Sequence, residues 1–67
     1  MNSPTLASLE TMIACARREI GMRERVYPNW IKAGRMKPDK ADAEIAAMRA
    51  ILAFLEAAQA KQKDDMG

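Results

Sequence analysis

The chain has no histidine and only one cysteine, Cys15, among its 67 residues. A lone cysteine cannot close a disulfide within one copy, and without histidine the usual tetrahedral zinc ligand sets are nearly excluded. Catalytic machinery is equally thin. No histidine can serve as a general base, and the carboxylates are scattered at the spacing of helix surfaces, so a non-enzymatic protein without cofactor or metal is expected. Cys15 falls between Ala14 and Ala16, near Arg17, Arg18 and Glu19, and reads as a small packing residue rather than an activated thiol. Aromatic residues make up 4% of the chain. No run approaches the 18 or so apolar residues of a membrane span. The first residues lack a basic segment followed by an apolar one, so no targeting signal is expected, and an unpaired thiol fits a reducing cytoplasm.

A chain this short makes one domain at most and buries little of its surface when it folds alone. With disulfides and zinc set aside, self-association is the remaining common way to stabilise it. Hydrophobic residues amount to 49%, much of it alanine and methionine, which favour helix over strand. Charged residues are 30% and the formal net charge is +2. That charge is unevenly spread. Residues 1–37 carry seven cations and three acids, and residues 38–67 four cations and six acids, so the halves stand at +4 and −2. An antiparallel pairing of the halves is mildly favoured.

Residues 23–36 hold the only tyrosine and tryptophan, with Pro28 and Gly34 as punctuation. Before this corner, Ser3-Pro4 predicts a capped helix start, and Leu6, Leu9, Ile13, Ala16, Ile20, Arg23 and Tyr27 recur at alternating intervals of three and four. Helix one is expected over about 4–27, kinked or ended at Pro28, with Gly21 tolerated inside if another backbone packs closely there. The corner covers 28–37, with a short turn from Asn29 to Ala33 and Gly34 in the left-handed position that closes a helix. Helix two, about 38–61, opens at Pro38, and a frayed tail follows over 62–67. Its seam is Ala41, Ile45, Met48, Leu52, Leu55, Gln59 and Gln62, and a second stripe, Ala47, Ile51, Phe54 and Ala58, runs beside it. Two stripes on one helix predict two neighbours. Folding the seams together gives a register in which facing residue numbers total 71 or 72, with Ile20 beside Leu52 and Trp30 beside Ala41. The fold class expected is an all-α antiparallel helical hairpin that assembles as a homodimeric four-helix bundle or a larger symmetric oligomer.

Two surfaces are candidates for binding. At the corner, Arg25, Lys32, Arg35 and Lys37 surround the faces of Tyr27 and Trp30, and the start of helix two offers free amides. Such a combination can hold a nucleotide or a nucleic-acid backbone. The simpler reading is that the rings plug the end of the hairpin while the cations are solvated. Arg23 is a charge on an apolar seam, with Arg49 nearby in the register. Both can be neutralised by Glu19, Glu24 or Glu44, by acids of a second copy, or by an anionic ligand. The other candidate is the stripe Ala47, Ile51, Phe54 and Ala58, surplus to a lone hairpin, which closes a homodimer or docks on a foreign helix.

The segment Glu19 to Leu52 carries Met22-Arg23, Arg25-Val26-Tyr27-Pro28, Trp30, Gly34-Arg35-Met36, Ala41, Glu44-Ile45 and Met48. In this pattern, about half the chain resembles a group of small proteins encoded by phages and bacterial prophages. Lys37 stands where that group often has serine or threonine. The resemblance transfers no site residue. It implies an accessory protein, acting in the host cytoplasm, that binds and inhibits a host protein, for instance in counter-defence, or that sequesters an anionic signal.

Overall fold

The computed structural model describes the backbone of residues 8–66 and the side chains of residues 8–62. Two helices, α1 (Leu9–Lys32) and α2 (Pro38–Met66), pack against each other as a hairpin. Helix α1 starts later than Ser3-Pro4 predicts. That pair and Leu6 lie outside the described residues, and the cap within them is Ser8, whose extended backbone (ψ 159°) stops the helix there. The Thr11 amide donates to Ser8 Oγ at 3.1 Å and the Met12 amide to the Ser8 carbonyl at 3.0 Å, so two amides of the first turn are satisfied.

Pro28 does not end α1. The helix continues to Lys32, through Asn29 and the turn expected to follow it. Proline lacks the amide that would reach the Glu24 carbonyl and its ring crowds that carbonyl, a cost of about 3 kcal/mol that falls here at an exposed position. The last turn has its own supports. Tyr27 is buried, Ile31 is half-buried, and the Tyr27 and Trp30 rings lie 5.7 Å apart at 37°. Gly34 then closes the helix as expected, at φ 78°. Its amide donates to the Ile31 carbonyl at 3.0 Å and the Arg35 amide to the Trp30 carbonyl at 2.8 Å, the paired bonds of a Schellman ending.

Helix α2 begins at Pro38, and the Ala41 amide donates to the Lys37 carbonyl at 3.1 Å. It runs to Met66 instead of fraying after 61. No glycine or proline interrupts 39–66, so nothing in the sequence breaks the helix there.

The expected seams face each other. Ile13, Ala16, Ile20 and Tyr27 of α1 and Ala41 of α2 are the buried apolar residues, and Leu9, Ile45, Met48, Leu52 and Leu55 are half-buried. The cross-helix ion pairs Arg17–Glu56 and Glu24–Arg49 each total 73 in residue number and Arg23–Glu44 totals 67, bracketing the expected register. A hairpin in one layer encloses little. The Cα radius of gyration is 15.5 Å, against about 11 Å for a compact chain of this length.

Gly21 meets no close backbone, contrary to the reason offered for its presence. A Cβ built there touches nothing within 4 Å, and the residue is exposed. Gly21→Ala is therefore expected to raise the unfolding free energy by about 1 kcal/mol in urea denaturation. A loss of stability would show that another surface presses on this position.

Candidate functional site

The corner begins from the C-terminal turn of α1, which the Schellman ending fixes, and from the first turn of α2. The structure divides the cations proposed there into two groups. Arg23 is half-buried and lies between two carboxylates, with Nε 3.4 Å from Glu19 and Nη1 3.4 Å from Glu44. Glu44 also receives Lys40 Nζ at 3.4 Å. Arg49 pairs with Glu24. The three acids named as partners for these arginines are thus all engaged with them. Arg23 lies on the inward face of α1 but keeps a side-chain exposure of 26%, so its desolvation is partial and its charge is matched twice.

Arg25, Lys32, Arg35 and Lys37 form the second group. All four are exposed, and among the described residues no carboxylate lies within 4 Å of them. Tyr27 is 7% exposed and contributes packing to the hairpin end. Trp30 is 43% exposed and offers part of its ring to solvent. Expected beside Ala41 as a plug, Trp30 closes the end only in part. Among the described residues no cavity opens at the corner or elsewhere, and no cluster of three metal-ligating side chains forms. The corner is therefore a basic surface without a cavity, with one partly accessible ring.

The second surface lies on α2. With 3.6 residues per turn, Ala43, Ala47, Ala50, Phe54 and Ala57 fall on the side of the helix away from Ala41 and Leu52, and Ile51 and Ala58 flank them. All are exposed except Ala58, which is half-buried. Phe54 is 74% exposed and Ile51 49%. From Ile45 to Ala60 the only charged residues are Arg49 and Glu56, and both reach toward α1, Glu56 through Arg17 Nη2 at 2.7 Å. The outer face is left without charge over about four turns. The stripe read from the spacing is thus brought together on one face, and the alanines around it widen it.

Two features were missed in the sequence. The Arg17–Glu56 pair totals 73, one beyond the register that joined the seams, and was open to discovery by extending that register. Cys15, read as a packing residue, is exposed. It sits off the apolar seam, next to the buried Ala16 but turned away from Ile13 and Ile20.

No known protein family, curated protein or solved structure matches the chain. No helix among the described residues is long and apolar enough to cross a membrane.

Glu44 serves two cations, so Glu44→Gln removes both pairings at once. A cost of about 0.5–1 kcal/mol at low salt is expected in urea denaturation, because the group is partly solvated. At about 1 M salt, where charges are screened beyond about 3 Å, the cost should largely vanish. A salt-independent cost would assign Glu44 a packing role instead.

Proposed function

We propose that this chain is a non-enzymatic interaction module of phage or prophage origin whose work is done by the outer face of α2. In the free protein that face joins copies into a homodimeric four-helix bundle or a larger symmetric assembly. A host protein presenting a complementary apolar helix competes for the same face and is inhibited by being occupied, within the host cytoplasm. The observation that carries this reading is the uncharged strip bearing Phe54 and Ile51, open to water on a helix whose other side is already engaged.

Magnitudes agree with it. The chain exposes 5422 Å², whereas a compact monomer of this mass is expected to expose about 4,200 Å². A hairpin in one layer leaves more surface in water than a compact chain of the same mass. Alanines let two helix backbones approach closely, and a phenylalanine opposite them fills the space that alanines leave. Such a face recognises an amphipathic helix by anchors three and four residues apart. The phage origin rests on the resemblance of Glu19 to Leu52 alone.

Affinity capture from host lysate tests the reading. The parent chain is expected to retain one host protein at raised salt, Phe54→Asp and Ile51→Asp to lose it, and Trp30→Ala to keep it. Because Phe54 and Ile51 are exposed, these substitutions leave the hairpin's own contacts in place, as circular dichroism would verify. Capture that survives Phe54→Asp, or turnover by the purified chain that one substitution abolishes, would overturn the proposal.

A further inference from the structure

We propose that the outward face of α1 is a contact surface for the phosphate backbone of double-stranded nucleic acid. This face does not depend on what occupies the outer face of α2. Arg18, Arg25 and Lys32 recur at intervals of seven residues, so they fall within about 40° of one another around the helix and about 10.5 Å apart along it. They make a straight row about 21 Å long. Arg35 and Lys37 continue the positive charge into the corner. All five are exposed, and among the described residues none has a carboxylate within 4 Å.

This segregation is structural and is hidden by the net charge of +2. The cations of α1 that point toward α2, Arg17 and Arg23, are the ones that take acid partners. Of the three acids on α1, Glu19 and Glu24 are held by Arg23 and Arg49, and Glu10 lies in the first turn, two turns before Arg18. The row therefore runs past no free carboxylate. An extended line of unpaired cations on a rigid helix matches a linear polyanion, and duplex DNA carries one phosphate charge per about 1.7 Å of axis.

The residues between the cations choose among polyanions. Gly21 and Asn29 bear no apolar bulk, Pro28 adds one small exposed ring at an edge of the row, and Met22 at the other edge is 40% exposed. That supplies too little to insert into a lipid surface, which calls for an apolar face beside the cations. A single strand would be held by bases stacked on aromatic rings. No ring lies on the row, since Tyr27 is buried and Trp30 projects from another side of α1. What remains is a phosphate contact, independent of sequence, with a duplex.

Fluorescence anisotropy with a labelled 20-base-pair duplex, about two helical turns, tests this. With three to five phosphates engaged, affinity should fall about 40- to 500-fold between about 50 and 200 mM salt. Arg18→Gln/Arg25→Gln/Lys32→Gln should weaken binding and flatten the log–log salt slope by about 2.7. Lys40→Gln/Lys61→Gln, which removes two cations away from the row, should change it little. Circular dichroism of each variant establishes that the hairpin is intact. No binding by the parent chain at about 50 mM salt, equal losses in the two variants, or binding to anionic phospholipid vesicles in preference to the duplex would each overturn the proposal.

Discussion

Two helices share only one line of contact, and that constraint shapes the whole molecule. Ile13, Ala16, Ile20 and Tyr27 on α1 find cover along the line, but on α2 only Ala41 is buried, and Ile45, Met48, Leu52 and Leu55 remain half exposed. A third layer would be needed to cover the rest. Among the described residues none supplies one, since only five separate α1 from α2 and α2 continues to Met66. Apolar side chains on the far side of α2 are therefore a consequence of the fold, and an isolated hairpin has no means of removing them from water.

Charge is arranged around the same line. Acids and cations flanking the seam pair across it, Arg17 with Glu56, Arg23 with Glu44, and Arg49 with Glu24, which favours the antiparallel register over slipped alternatives. Exposed pairs of this kind contribute little energy each. Their larger effect is on what is left over. Pairing consumes the charges beside the seam, so the outside of α1 keeps unmatched cations and the outside of α2 keeps no charge at all between Ile45 and Ala60. One side of the hairpin is electrostatic in character and the other apolar.

The parts of this arrangement that repeat were legible in the sequence. The alternating three and four intervals of both seams located the contact line, Gly34 marked the left-handed closure, and Pro38 marked the start of α2, because each rests on geometry that few residues satisfy. Boundaries decided by competition between small terms were not. The start expected at Ser3-Pro4 lies outside the described residues, and the described helix is capped at Ser8 by its extended backbone. Pro28 removes one amide, which the contacts of Tyr27 and Ile31 outweigh, and residues after 61 continue the helix because nothing breaks it. At the corner, Arg23 and Arg49 had three named acids available, and the choice among acids, ligand and second copy depended on side-chain reach. Arg18 escaped notice because it was read with its neighbour Cys15, not with Arg25 and Lys32 seven and fourteen residues on.

The central claim is that the outer face of α2 is too apolar to remain uncovered in the free protein. Sedimentation equilibrium of the unmodified chain at micromolar concentration measures this directly. The account predicts a particle of two or more chains that dissociates on dilution. A single chain across the whole concentration range, folded and unfolding cooperatively, would contradict it.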